Sequence, residues 1–433
     1  MAMSVDRGVN GRLKRLPELD LESYHDFLTG FRAWLFRDLG GATRARADAL
    51  AARETAGGGN LSFARARDLF GGDPMIAVSH RIWVSSQLMA HHSLLDGFRR
   101  HGDDVDAWFA AAEASDCGSI ALDPNLVIPD YARHEIHIQP GGYVGEPLAG
   151  HVYHYGTNSF YLGLNDQDQV YLERAKVIAR PEDGRLDRIV DLGCGIGQYP
   201  IALKEAFPDA EVWGIEVGAP LVRYTHARAV QLGVPIHVAQ RLAERTGFDD
   251  ASFDVVTAHI LFHEVNDQAA HDIVREAWRI LRPGGVFDIT EFDMDRSFTP
   301  YEEYAAWADH FYNGEPWEGD FYNRPFLDWI RQAGFELTIA DAPMTRGGLK
   351  KYIARKPMQD RLDGRTSKGH CGASRKLRLS RKRRARQSGR HDDRIVRAGL
   401  DAQAPHACGR KPAGGEGPRL GGGDRGVRAV GGG

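Results

Sequence analysis

Between residues 20 and 36, Leu21, Tyr24, Phe27, Leu28, Phe31 and Leu35 recur at intervals of three and four, the spacing of one helix face. Similar periodicity runs through 75–98 and 105–114. No strand-like alternation interrupts it, so residues 1–115 are predicted to form a helical N-terminal cap domain. Residues 116–164 differ: PNLVIPDYARHEIHIQPGGYVGEPLAGHVYHYGTNSF is dense in Pro, Gly, His and Tyr. That is too aromatic for a flexible linker and predicts an ordered connector. From 165 onward short apolar runs alternate with helical stretches. Strands are expected at 188–191, 211–215, 236–239, 253–258 and 285–290. Helices are expected at 168–179, 199–206, 219–232 and 267–281. Helices at 301–312 and 323–333 then precede strands at 336–342 and 350–354, close enough for an antiparallel hairpin. This is the pattern of a doubly wound α/β domain over 165–356.

The segment 357–433 breaks the pattern. From 359 on it holds no Phe, Trp or Tyr, and Gly, Arg and Ala dominate. It cannot bury enough apolar surface to offset the entropy of ordering, so a disordered, dispensable, basic Gly/Arg-rich tail is expected. The tail carries about 19 Lys and Arg against 7 Asp and Glu, although the whole chain has a net charge of −4. The remaining body is therefore strongly acidic and would repel phosphates, which disfavours nucleic acid as a partner. The basic cluster at 375–386 is the feature that speaks for one.

Cys117, Cys194, Cys371 and Cys408 share no metal-ligand spacing, which argues against a zinc site and a disulfide framework. No apolar run reaches the roughly 20 residues of a membrane span. The N-terminal residues show no apolar leader, so a cytoplasmic location is expected. The apolar faces of the helical region leave a homodimer open.

The densest chemistry lies in Arg188-Ile-Val-Asp-Leu-Gly-Cys-Gly-Ile-Gly197. A buried strand ends at Asp191, a glycine-rich turn follows, and a helix begins near Gln198. Glycines let backbone approach a ligand with positive φ, and amides at a helix start bind anionic groups. A nicotinamide site is opposed by two details. Gln198 stands where a third glycine would fall, and the Asp191 carboxylate would repel a pyrophosphate. An acid there suits a ligand with a positive amino group, such as the methionine end of S-adenosylmethionine (SAM). Glu216 ends the next strand, where an acid accepts from both ribose hydroxyls of an adenosyl group.

These residues, together with AERTGFDDASFDVVTAHILFHEV and EAWRILRPGGVFDITEF, resemble the class I SAM-dependent methyltransferases, in particular their ubiquinone-biosynthesis-like branch. The resemblance covers about 187–292. It implies a seven-stranded sheet of order 3-2-1-4-5-7-6 with strand 7 antiparallel, and SAM as cofactor. Asp191, Gly193, Cys194, Gly195, Gly197 and Gln198 would lie under methionine and ribose. Glu216 would bind the ribose hydroxyls, and Val217 would pack on adenine. Where the family often has Asp-Ala-Glu, this chain has Leu242-Ala243-Glu244. Leu242 cannot accept from the adenine amino group, so Gln240, Glu244, a backbone group or packing alone must serve. The Leu281-Arg-Pro-Gly-Gly285 turn is implied to be structural.

Methyl transfer from a sulfonium needs alignment and, for a protonated acceptor, a base. His263 and His259 at the end of the fourth strand are the candidates, with His259 also placed beside the cofactor. Glu291 at the end of the fifth is a third. In the connector, His134, His137, Gln139, Tyr143, Tyr153, His154 and Tyr155 form a polar-aromatic group able to touch cofactor or substrate. His134 and His137, three apart, would face opposite sides of a strand, and no third ligand lies near, so no metal is expected. Trp307, Phe311, Tyr312, Trp317, Phe321, Tyr322 and Phe326 form either a lid over an apolar acceptor or helices covering the sheet. The expected function is SAM-dependent methyl transfer to oxygen or carbon of a small molecule. The alternatives are SAM binding without methyl transfer or with other sulfonium chemistry, and a nucleic-acid methyltransferase directed by the tail.

Overall fold

The computed structural model describes residues 7–342 and 348–358; the expected tail lies outside them from 359 onward. Eight strands form one sheet: β1 Ser119–Ala121, β2 Arg188–Leu192, β3 Glu211–Glu216, β4 His237–Gln240, β5 Phe253–His259, β6 Leu281–Phe292, β7 Glu336–Asp341 and β8 Leu349–Arg355. Their spatial order is β1-β4-β3-β2-β5-β6-β8-β7. Numbered from β2, seven of them reproduce the order 3-2-1-4-5-7-6. Only β8 runs antiparallel to its neighbours β6 and β7. The eighth strand is the departure. Connector residues Ser119–Ala121 pair in parallel with His237–Ala239 and extend the β4 edge.

The central strands are apolar because both of their faces are covered. All seven residues of β5 are buried, and β2 buries four of five. Asp254 is tolerated at 1% exposure because it accepts from the amides of Asp187 and Arg188 and pairs with Arg282. Strand β6 starts four residues earlier than expected. Its register against β5 jumps from Phe253–Leu281 to Val255–Val286, so Arg282–Gly285 bulge out within it. Pro283 has no amide to give to a ladder and fits such a bulge.

A short antiparallel hairpin, Val9–Asn10 with Leu13–Lys14, departs from the all-helical expectation for 1–115; after it come the helices Leu19–Trp34, Gly40–Glu54, Phe63–Gly71, Pro74–Arg100 and Gly102–Glu113. Asp73 caps the longest through the amides of Met75 and Ile76, with Pro74 at its first turn. Helix Leu19–Trp34 turns a different face inward from the one its apolar residues suggested. It buries Leu21, His25, Leu28 and Arg32, while Phe27 is 61% exposed and Trp34 43%. Arg32 is admitted because its guanidinium donates to Ser159 Oγ, Ser86 O and Gln87 Oε1, which offsets desolvation. The helical region shares a core with the sheet's covering helices: Leu94, Leu95, Phe98 and Phe109 pack with Ile196, Leu221 and Tyr224. The connector is itself partly helical, at Ala149–Phe160. No helix among the described residues is long and apolar enough to cross a membrane.

Candidate functional site

A cavity of about 330 Å³ opens at the carboxyl ends of β2, β3 and β5, the usual ligand position in open α/β sheets. Its floor is the turn after β2. Gly193, Gly195 and Gly197 have φ of 69°, 53° and 78°. Gly197 must also be small, since a Cβ would stand 2.4 Å from Thr225 Cγ2. Gly195 borders the cavity, and nothing lies within 4 Å of where its Cβ would be. Glu216 braces the turn: Oε2 accepts from the Gly195 amide (3.1 Å) and Oε1 from the Gly218 amide (3.0 Å). Burial raises the Glu216 pKa, opposed by those two hydrogen bonds.

Of the residues expected to hold the cofactor, Gly193, Gly195, Glu216, Val217, Ala243 and His259 line this cavity. Asp191, Cys194, Gly197, Gln198 and Leu242 lie behind its wall. Asp191 is buried beneath the turn and accepts from Thr257 Oγ1 at 2.6 Å; burial pushes its pKa up to about 7. Gln198 is turned toward Asp168, and Cys194 packs its sulfur over Gly214. The adenine substitutes are already engaged. Gln240 donates to Val217 O and accepts from the Asp123 amide; Glu244 accepts from Tyr131 Oη at 2.8 and 2.9 Å.

The three candidates for proton transfer differ sharply. His263 is buried and lines the cavity. Its Nδ1 is 2.9 Å from Glu291 Oε1, and its Nε2 has only Glu264 near, at 3.7 Å. Burial pulls its pKa down, but the charge and hydrogen bond of Glu291, with Glu264 and Glu315, outweigh burial and lift it to about 9. Glu291 is fully buried, also accepts from the amides of Phe262 and Phe292, and does not reach the cavity. Its oxygens are thus taken up by His263 and these two amides. His259 Nε2 accepts from Arg174. Burial, then the Arg174 charge, drives its pKa well below the usual range, which leaves it neutral.

From the connector, His137, Gln139, Tyr143 and Tyr153 reach the cavity, and Tyr131 and Tyr161 join them. His154 instead bonds Tyr224 Oη, and Tyr155 donates to Lys14 O; His134 stacks edge-on to Trp317. The segment after β6 is a cavity wall, but not an aromatic one. It contributes Asp309, Asn313, Glu315 and Glu318. Its aromatic residues face elsewhere, Trp307 against Tyr304 and Phe311. Burial raises Asp309 to about 6 and Glu318 to about 8. Sequence spacing could not reveal these acids, which lie among ordinary helix-surface charges. The same is true of Glu264, which with His137 and Glu315 forms a tight three-residue group.

A sheet of this order, with a glycine turn after its first core strand and an acid ending its second, defines the SAM-binding class of α/β domains. The comparisons with known proteins agree. A family described as "Methyltransferase domain" matches residues 189–285. Demethylmenaquinone methyltransferase of Thermus thermophilus is 32% identical over 105 residues, 24% of this chain and 47% of that one. The 27-O-demethylrifamycin SV methyltransferase of Amycolatopsis mediterranei is 35% identical over 108 residues, 24% and 39% of the two chains. The chain thus spans about half the length, or less, of these relatives. A putative methyltransferase from Bacillus halodurans is similar in structure at a TM-score of 0.34 and 17% identity, over 44% of this chain and 99% of that one; so weak a likeness says nothing of chemistry. Residues 189–285 belong to a class I SAM-dependent methyltransferase domain, and its methyl donor is SAM.

Proposed function

We propose that this protein transfers a methyl group from SAM to an oxygen or carbon of a small organic acceptor held in the cavity, with His263 as the base. The observation that carries this reading is a shared wall: Gly195, Glu216 and His263 all border one cavity. Gly193, Gly195 and Glu216 would hold SAM, whose sulfonium supplies an already activated methyl group. The fit is supported by the open space over Gly195 and by an acid at the end of β3 suited to a ribose diol. His263 takes the acceptor's proton at the nitrogen that Glu291 leaves free, and does so from its neutral form; since the ring holds its proton up to about pH 9, transfer to a protonated acceptor is expected to rise as pH approaches 9. Glu291 then holds the imidazolium that forms, the usual role of a carboxylate behind a histidine base. Aromatic side chains of the connector exclude water from the acceptor. Two relatives carry names of small-molecule methyltransferases, one acting on demethylmenaquinone and one on 27-O-demethylrifamycin SV, which supports an acceptor of that size.

The test is calorimetric titration of S-adenosylhomocysteine (SAH), followed by SAH release from SAM with a panel of phenols, quinols and hydroxylated macrocycles. Micromolar SAH binding with release on one acceptor class supports the reading. Folded protein that takes up no SAH would overturn it, and binding without release on any acceptor would favour SAM binding without transfer.

A further inference from the structure

His137, Glu264 and Glu315 come from three separate parts of the chain. His137 lies in the connector with a left-handed backbone, φ 55°. Glu264 lies in the short turn Phe262–Glu264 after β5. Glu315 follows Gly314, whose φ is 71° and whose Cβ would stand 2.6 Å from Glu135 O. Only glycine lets the two turns approach so closely, and that approach sets Glu315 beside His137. His137 Nδ1 is 2.5 Å from Glu315 Oε1, and Nε2 is 3.4 Å from Glu264 Oε1. One ligand atom from each of the three lies within 4.8 Å of the others. A cation about 2.0–2.2 Å from each ligand requires separations of roughly 3.0–4.4 Å, so Glu315 Oε1 must draw back from His137 Nδ1 and Glu264 must turn toward the same ring nitrogen.

A second observation points the same way. Glu315 is 4% exposed, lines the cavity, and its Oε2 has no hydrogen-bond partner among the described residues. The Oε2 atoms of Glu264 and Glu318 are buried without partners too. Buried carboxylate oxygens are ordinarily paired with a donor or a cation. Arg241 also lines the cavity but is committed to Thr246 O, and Arg324 to Phe262 O and Val265 O.

We infer that His137, Glu264 and Glu315 form a divalent-cation site whose remaining coordination positions open into the cavity and take oxygen atoms of the acceptor. One imidazole and two carboxylates match the hard-to-borderline cations Mg²⁺, Mn²⁺ and Fe²⁺ better than the soft ones. Coordination through one ring nitrogen of His137 releases that nitrogen's proton to solvent, and the cation takes its place beside the acids. It would neutralise carboxylates that otherwise border an organic acceptor, and it would favour acceptors bearing adjacent oxygens, such as a 1,2-diol or a hydroxyketone. The acceptor part of this inference rests on the proposed methyl transfer; the cation part does not.

The probe is Mn²⁺, a cation that one imidazole and two carboxylates suit and whose free resonance signal reports binding directly. Mn²⁺ is titrated into the full chain by calorimetry and by loss of its free electron-paramagnetic-resonance signal, in wild type, His137→Ala and Glu315→Gln. SAH binding is measured on the same samples. One Mn²⁺ per chain, weakened at least about tenfold in each variant with SAH affinity kept within about twofold, is the expected result. Spin-echo modulation from a single imidazole nitrogen in the wild type is expected as well, and needs no variant to fold. Absence of stoichiometric Mn²⁺ binding, or binding indifferent to both substitutions, overturns the inference. If SAH still binds in that case, the methyltransferase reading stands; if wild type binds Mn²⁺ but not SAH, that reading falls and the cation site remains.

Discussion

Replacing Glu216 with alanine tests the cofactor site at its most informative point. The Glu216 carboxylate accepts from the amides of Gly195 and Gly218. In the complex it would also accept from the ribose hydroxyls. Hydrogen bonds to a charged group contribute about 1.5–3 kcal/mol each, so two ribose contacts amount to about 3–6 kcal/mol. Water entering the space left by the side chain would recover part of this. A weakening of SAH binding by about 10²-fold or more is therefore expected, since each 1.4 kcal/mol is tenfold. Calorimetry on wild type, Glu216→Ala and Glu216→Gln reads it directly. Gln keeps one acceptor oxygen but no charge, so it should fall between the two. Circular dichroism melting separates lost contacts from lost fold, because alanine also frees the two amides. If Glu216→Ala melts as a folded protein and binds SAH within about threefold of wild type, the carboxylate does not hold the ribose.

Three further predictions follow from the same geometry. Glu291→Gln removes the charge that outweighs burial at His263, so the His263 pKa is expected to drop from about 9 toward neutrality in an NMR titration of the ring. Because the folded value exceeds the ordinary 6.5, the pairing contributes stability fully present below pH 6.5 and lost as pH rises through 9. A His263 that stays near 9 in the variant would show that Glu291 is not the cause. Gly197→Ala places a Cβ 2.4 Å from Thr225 Cγ2 at φ 78° and should cost about 2–4 kcal/mol. Adding Thr225→Ser, which keeps the hydroxyl that donates to Gly195 O, should restore part of the melting temperature; no restoration would refute the clash. Asp191, lifted to about 7 by burial, should penalise the fold increasingly as pH rises from 3.8 to 7 and constantly above. Asp191→Asn is thus expected to melt higher than wild type at pH 8 by an amount worth up to a few kcal/mol, with the gain gone near pH 4; a lower melt at pH 8 would contradict it.

The sheet could be read from the chain because its signals are local and ordered. A run of buried apolar residues, a glycine turn and a strand-ending acid recur at intervals that only successive parallel strands produce, so 188–216 placed Gly195 and Glu216 together without any contact information. His263 and Glu291 were legible for the same reason, as the ends of adjacent strands β5 and β6. Their separate roles were not. Whether an acid at a strand end faces the cavity or a neighbouring imidazole depends on burial, and Glu291 proved fully enclosed.

What stayed hidden in the sequence depends on pairing across long separations. Three residues, Ser119–Ala121, are too short for alternation to show, and they become a strand only because the β4 edge offers unpaired groups. Helix Leu19–Trp34 misled for another reason. Periodicity counts apolar residues, yet Arg32 and His25 were chosen for burial by partners at Ser159, Gln87 and Ser93, which no local window contains. The group of His137, Glu264 and Glu315 is the extreme case. Each residue alone is indistinguishable from a solvated charge, and its meaning arises only when Gly314 brings two turns together over the end of β5. Polar chemistry assembled from loops is thus the part of a fold that sequence patterning reads least well, because its spacing is set by tertiary contacts and not by a helix or strand period.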